Sequence, residues 1–347
     1  MKKSQNPLAS DLEHILDLTR ELWEELRGGR FFITGGTGFF GCWLLESFAW
    51  AKDRLGLKAS ALVLTRDPVA FQRKAPHLAA NPAILFHEGD IRYFVFPPGS
   101  FSHVIHAATE SSARLNVEAP LTMFHTIVDG TSHTLEFTSH CGARKVLLTS
   151  SGAIYGRQPP DMTHISEEYQ GAPDLTDPLS AYGEGKRAAE TLCLLYARQE
   201  GYEAKIARCF AFVGPYLPLD THFAIGNFIR DGLDGGPIIV KGDGTPRRSY
   251  LYAADLAIWL WTILFRGQSC RPYNVGSDES ISIAELAQLV AAQFPTKIAV
   301  EIRGTSDHNK SLEQYVPDIS RATNELGLRL STPLLQSIGK TIMFHKN

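Results

Sequence analysis

The chain has 347 residues, 44% of them apolar, and its 34 basic and 37 acidic side chains leave a net charge of −3. At about 150 residues per domain this length suggests two domains. The charge balance does not favour nucleic acid or an anionic membrane as a partner, no run of roughly 18 apolar residues offers a membrane span, and residues 1–10 lack the apolar core of a secretory leader.

Five scattered cysteines, Cys42, Cys141, Cys193, Cys209 and Cys270, form no CxxC pair. They are expected to be reduced, mostly buried thiols of a cytoplasmic protein. The 12 histidines are scattered too, with no HExxH or HxxxH spacing, so no metal site is expected.

In chain order, residues 10–27 predict a leading helix. Ser10-Asp11-Leu12-Glu13 fits a capping box, Leu12, Ile15, Leu16, Leu22, Trp23 and Leu26 recur at helical spacing, and Gly28-Gly29 ends it. Its expected role is packing on the main domain or a second subunit. From Arg30 short apolar strands (31–34, 59–64, 83–87, 103–106, 145–149) alternate with helical stretches (39–50, 121–141). That alternation predicts an α/β fold, a doubly wound parallel Rossmann-type sheet covered on both faces. Beyond Cys209 helices near 222–233, 253–266 and 282–294 alternate with strands at 238–241, 272–275 and 297–302. These predict a smaller, partly interleaved C-terminal substrate lobe. The expected division is a helical extension over 1–29, a dinucleotide-binding domain over 30–208 with returning segments near 246–276, and a substrate lobe over 209–245 and 277–347.

Thr34-Gly35-Gly36-Thr37-Gly38-Phe39-Phe40-Gly41 lies where the first strand meets the first helix. Glycines there permit a tight turn and close approach of a pyrophosphate to a helix N-terminus. The second strand ends in Thr65-Arg66-Asp67. An acid at the strand end favours NAD, and an arginine accommodates the extra phosphate of NADP. Arg66 leans the reading of an NAD(P) cofactor toward NADP, with Asp67 as the competing acid.

Ser150 and Ser151 close the fifth strand, where ligands of open α/β sheets bind. About 30 residues on, Ala181-Tyr182-Gly183-Glu184-Gly185-Lys186 places Tyr182 and Lys186 four apart, on one helix face. A free tyrosine titrates near ~10. An adjacent ammonium and an oxidised nicotinamide favour the phenolate, making Tyr182 a proton-transfer group beside a hydride acceptor. Lys186 also holds the cofactor ribose, and Ser151 hydrogen-bonds the reacting oxygen.

These residues resemble the extended short-chain dehydrogenase/reductase family, the NAD-dependent epimerase/dehydratase group that acts on nucleotide sugars. The resemblance runs from Arg30 to the C-terminus through the glycine turn, Gly89-Asp90-Ile91, His106-Ala107-Ala108, Ser150 to Gly156, and Tyr182 to Lys186. It implies that Asp90 and Ile91 meet the adenine side of the cofactor, that Ala107, Ala108 and Phe210 line its site, that Asn227 lines a nucleotide pocket, and that Arg248 grips the substrate diphosphate. Asp255, Asn274-Val275-Gly276 and Pro317-Asp318-Ile319 complete the pattern. It also implies a homodimer formed through the helices at 121–141 and 178–200. Three positions depart from the family: Ala153 replaces the acid that dehydratases and decarboxylases carry, Ala211 replaces an asparagine, and Ile127 replaces another.

The leading expectation is a nucleotide-diphosphate-sugar epimerase working by transient hydride removal and return. The alternative is an NADPH-dependent reductase of a keto-deoxy nucleotide sugar. A 4,6-dehydratase or decarboxylase is disfavoured by Ala153. From a different class, a dinucleotide-binding module without turnover is opposed by the intact Ser151, Tyr182 and Lys186. His222 and Cys209 fall near the substrate region without a spacing argument and are expected to be structural.

Overall fold

The computed structural model describes residues 6–109, 113–221, 223–305 and 312–346. His222 lies outside the described residues. In chain order the elements are α1 (Ala9–Thr19), β1 (Arg30–Thr34), α2 (Phe39–Leu55), β2 (Ser60–Thr65), α3 (Pro68–Lys74), α4 (Pro76–Ala79), β3 (Ile84–Glu88), β4 (His103–His106), α5 (Ala113–Glu118), α6 (Pro120–His140), β5 (Lys145–Ser151), α7 (Ala181–Glu200) and β6 (Glu203–Cys209). Then follow β7 (Phe212–Val213), α8 (Ala224–Leu233), β8 (Ile238–Val240), β9 (Arg247–Arg248), β10 (Leu251–Tyr252), α9 (Ala253–Arg266), β11 (Pro272–Val275), β12 (Ile281–Ser282), α10 (Ile283–Ala291), β13 (Val300–Ile302), β14 (Gln314–Tyr315), α11 (Ser320–Leu326) and α12 (Leu334–Lys346).

Seven strands make the parallel central sheet in the order β11-β6-β5-β4-β1-β2-β3. The chain starts in the middle, winds outward through β2 and β3, then returns to β4 on the other side of β1. That reversal sets a crevice at the carboxyl ends of β1 and β4, where open α/β sheets bind ligands. The strands are short and apolar because helices cover them: Phe32 in β1 packs on Phe137 of α6 at 4.6 Å and on Phe94 at 5.4 Å.

The chain divides into two compact units. The first holds residues 1–151, 177–208 and 257–273, and the second holds 152–176, 209–256 and 274–347. In the second unit β9 pairs with β12 antiparallel and β14 parallel, β10 with β7, and β13 with β8. Asn274 knits it together. Its Oδ1 accepts from the Tyr155 hydroxyl (2.8 Å) and its Nδ2 donates to the carbonyls of Ile165 (2.8 Å) and Asp318 (3.0 Å).

The leading segment corrects two expectations. Its helix does not run unbroken to residue 27: α1 stops at Thr19 and a tighter 3-10 helix covers Arg20–Leu26. The capping box at Ser10 does not form. The helix begins at Ala9, so Ser10 lies inside its first turn, and the Asn6 side chain accepts the Leu8 N–H at 2.8 Å instead. The segment is welded to the first unit by Trp23, fully buried, with its ring 4.7 Å from Trp261 and 6.4 Å from Phe265.

Candidate active site

The phosphate-type turn is built by glycines with three different duties. Gly35 has φ +69°, and a Cβ there would lie 2.4 Å from the Ala107 oxygen, so the end of β4 closes directly on the turn. At Gly41 a Cβ would lie 2.3 Å from the Gly36 Cα, so its absence lets α2 press against the turn. Gly38 has an ordinary φ of −80°, and a Cβ there would meet only the Gly35 oxygen, at 3.3 Å. Space is therefore open over Gly38, at the N-terminus of a 17-residue helix that no side chain caps. Open space and the positive helix end fit a dinucleotide pyrophosphate. Phe39 and Phe40 begin α2, with ring centroids 5.8 Å apart, and the Thr37 carbonyl accepts from Lys74 Nζ at 3.0 Å.

Next to this turn, β2 pairs with β3 so that Thr65 stands opposite Glu88. This brings Arg66 and the Gly89-Asp90-Ile91 segment to one edge. Asp67 is engaged: its Oδ1 accepts the Ala70 N–H at 2.8 Å and caps α3. Asp90 is gripped by Arg92 through Nε (2.9 Å) and Nη2 (3.0 Å). The Arg92 fork, with Arg66 also nearby, holds the Asp90 carboxyl below its ordinary range. Ile91 packs toward α6, where its side chain comes within 3.0 Å of a Cβ built on Gly130.

Under the turn, His106 bridges three elements. Its Nδ1 meets Thr34 Oγ1 at 2.8 Å and its Nε2 meets Thr131 Oγ1 at 3.0 Å. Burial, and secondarily Lys186, pushes its pKa down to about 3, so the ring is neutral. Thr34 also accepts the N–H of Ala108 at Oγ1 and that of Ala107 at its carbonyl, both at 3.1 Å. Ala107 and Ala108 are thereby fixed beside Gly35.

Lys186 is almost fully buried on α7. Its ammonium donates to Thr109 Oγ1 at 2.5 Å and to the Thr149 carbonyl at 2.7 Å, so two fixed oxygens satisfy a charge that burial would otherwise penalise. Tyr182 lies one turn earlier on the same face, half-buried, and Ser151 is buried at the carboxyl end of β5. Ile127 packs against Gly185, between Tyr182 and Lys186 in sequence, with a Cβ there only 3.2 Å from its Cδ1. A larger residue at 185 would push α7 from α6.

Sequence spacing singles out neither Thr109 nor the buried pair Glu190–Arg208. The last had a signal: Glu190 follows Tyr182 and Lys186 at the same four-residue interval.

The remaining predicted residues lie in the second unit. Phe210 donates its N–H to Val275 O at 3.0 Å, and its ring packs 4.6 Å from Tyr315 and 6.3 Å from Tyr155. Asn227 on α8 accepts from Arg230 Nη1 at 3.1 Å. Arg248 is half-buried, pairs with Glu313, and donates Nη1 to the Arg247 carbonyl at 2.9 Å. Ala153 sits in the 3-10 turn Gly152–Tyr155, and the Ala211 carbonyl accepts the Leu251 N–H at 3.0 Å. Asp255 accepts from the backbone of Ser331 and Thr332, at 3.2 and 3.1 Å. Among the described residues no cluster of histidine, cysteine or acidic side chains is arranged to hold a metal ion, and no helix is long and apolar enough to cross a membrane.

Fold and glycine turn together define a dinucleotide-binding α/β protein of Rossmann type. The sequence profile of the NAD dependent epimerase/dehydratase family matches residues 31–276, and the chain belongs to that family of nucleotide-sugar-modifying enzymes. It is 30% identical over 324 residues to UDP-glucuronic acid decarboxylase 6 of Arabidopsis thaliana, covering 90% of this chain and 91% of the relative. It is 29% identical over 318 residues to UDP-glucuronic acid decarboxylase 1 of Xenopus tropicalis, covering 91% of this chain and 72% of the relative. Among solved structures, an epimerase from Methanothermobacter thermautotrophicus matches with a TM-score of 0.80 at 20% identity, over 95% of this chain and 96% of the other. A dTDP-glucose 4,6-dehydratase from Streptomyces venezuelae, solved with NAD bound, matches at 0.75 and 22% identity over 91% and 97%.

Proposed function

We propose that the chain is an NADPH-dependent reductase of a keto-deoxy sugar carried on a nucleotide diphosphate. The sequence favours the epimerase; one observation supports placing the reductase first: the Asp67 carboxylate caps α3, and Arg66 precedes it in the chain. The acid that would favour NAD is committed to the backbone. Arg66 suits the extra phosphate of NADP. A cofactor that is consumed and exchanged, rather than retained, suits net reduction.

Bound NADPH supplies the hydride. Tyr182 gives its proton to the oxygen of the carbon being reduced, Ser151 orients that oxygen, and Lys186 stabilises the phenolate left behind. Thr109 and the Thr149 carbonyl hold the Lys186 ammonium in place for this. Arg248 is the residue we assign to the substrate diphosphate, exchanging Glu313 for phosphate oxygens.

Epimerisation is the second reading. It uses the same residues in both directions and needs no further acid, which agrees with the methyl group of Ala153. The decarboxylase relatives suggest a third chemistry, but the acid that the family resemblance places at position 153 in those enzymes is absent, and a methyl group carries no proton. One panel separates the three. Steady NADPH consumption with a UDP- or dTDP-linked 4-keto-6-deoxyhexose is the expected result. Interconversion of UDP-hexoses without net absorbance change means epimerase, and carbon dioxide release from UDP-glucuronic acid means decarboxylase.

A further inference from the structure

Glu190 is a buried acid one turn beyond Lys186 on the inward face of α7. Its Oε1 accepts the Ser150 hydroxyl at 2.5 Å. Arg208 of β6 closes on both of its oxygens, Nε at 3.1 and 3.2 Å and Nη2 on Oε2 at 2.8 Å. Two successive turns of α7 are thus pinned to the end of β5, through Lys186 on Thr149 and Glu190 on Ser150. Side chains four apart on a helix are neighbours. A carboxylate there competes for the Lys186 ammonium unless another cation satisfies it.

We propose that Arg208 is a positioning residue: by occupying the Glu190 carboxylate it keeps the field of Lys186 directed at Tyr182. The proposal rests on the reading of Tyr182 as the proton-transfer group. Without Arg208, the Glu190 charge offsets that of Lys186, disfavours the phenolate and raises the pH at which Tyr182 ionises.

His106 approaches from the end of β4 and stays neutral. Cys193 on α7 stays a thiol, because burial and Glu190 push it up. Ile127 from α6 is apolar, and Glu184 pairs with Arg187 at 3.6 Å on the outer side of α7. Among these described groups, the charge placed to change the balance is that of Arg208 against Glu190.

The test is a tyrosinate absorbance titration of NADP⁺-saturated protein from roughly pH 5 to pH 10, with Tyr182→Phe as the blank. Wild type should show a Tyr182-dependent ionisation well below the free value of about 10. Arg208→Met should move it up by about one unit, and Glu190→Gln with Arg208→Met should bring it back. Glu190→Gln alone leaves Arg208 uncompensated and should move it down by a few tenths. This opposite sign separates charge balance from a loosened site, and it carries the test if Arg208→Met does not fold. An Arg208→Met ionisation equal to wild type, or Glu190→Gln shifting upward, overturns the proposal while leaving Tyr182 in its role. Absence of any Tyr182-dependent ionisation in wild type overturns the catalytic reading itself.

Discussion

At the scale of single residues, the site works by giving each buried polar group a fixed partner. Lys186 keeps its charge on two oxygens, while His106 gives up its charge and becomes a bridge between threonines. The second choice has a consequence for acid stability. Folded His106 stays neutral down to about pH 3, whereas an unfolded imidazole takes a proton near ~6.5. The stabilisation is complete above ~6.5. Below it the unfolded chain binds more protons, and stability falls with pH toward 3 at up to about 1.4 kcal/mol per unit. His103, held by burial to about 4, acts in the same direction. His106→Asn should lower stability at neutral pH yet flatten this acid slope. Urea midpoints between roughly pH 7 and 5 check it, and an unchanged slope contradicts it. Tyr182, Lys186, Ser151 and Arg66 can be nominated from sequence because their spacing or strand-end position carries the proposal. Thr109 was not, since only the fold brings its hydroxyl to a lysine 77 positions away.

At the scale of elements, the strand–helix alternation and the glycine turn were readable because hydrophobic period and backbone sterics are local. Caps were less so, because a cap depends on what precedes it. Ser10 and Ser282 share the pattern Ser-x-x-Glu, yet only Ser282 forms the reciprocal box, with Glu285. Ser282 leaves a strand in extended conformation, whereas Ser10 is already inside a helix begun at Ala9. Asp67 was weighed as a cofactor acid; Pro68 at the start of α3 makes it that helix's cap. The turn itself makes a paired prediction. Gly35→Ala forces a left-handed backbone and a 2.4 Å overlap with Ala107, and should cost about 2–4 kcal/mol. Gly38→Ala meets one carbonyl at 3.3 Å. It should melt within a few degrees of wild type but bind NADPH at least about tenfold more weakly. Melting curves and a fluorescence titration of the two variants check both. A Gly38→Ala protein with unchanged affinity contradicts the placement of the phosphates.

At the scale of the whole molecule, the first unit has a structural end and a chemical end. The leading segment meets the amino end of β5, where Glu25 accepts from Lys145 (2.8 Å), and Trp23 packs at a tilt against Trp261 of α9. The glycine turn, Ser151 and Lys186 lie at the carboxyl ends. Trp23→Ala should therefore cost about 3–5 kcal/mol of stability while leaving the NADPH dissociation constant within roughly threefold of wild type, read by denaturation and by titration of the folded protein. A Trp23→Ala protein that folds normally but loses its cofactor contradicts this separation. At the other end, the proposed chemistry has a lysine fixed by two oxygens make a tyrosine hydroxyl a proton donor and acceptor at neutral pH. Its most direct test is turnover of the proposed keto-deoxy nucleotide-sugar substrate by Tyr182→Phe, measured beside affinity for the proposed cofactor NADPH. Turnover should fall by roughly 10²–10⁴-fold with cofactor affinity nearly intact. A variant that turns over at close to the wild-type rate contradicts it.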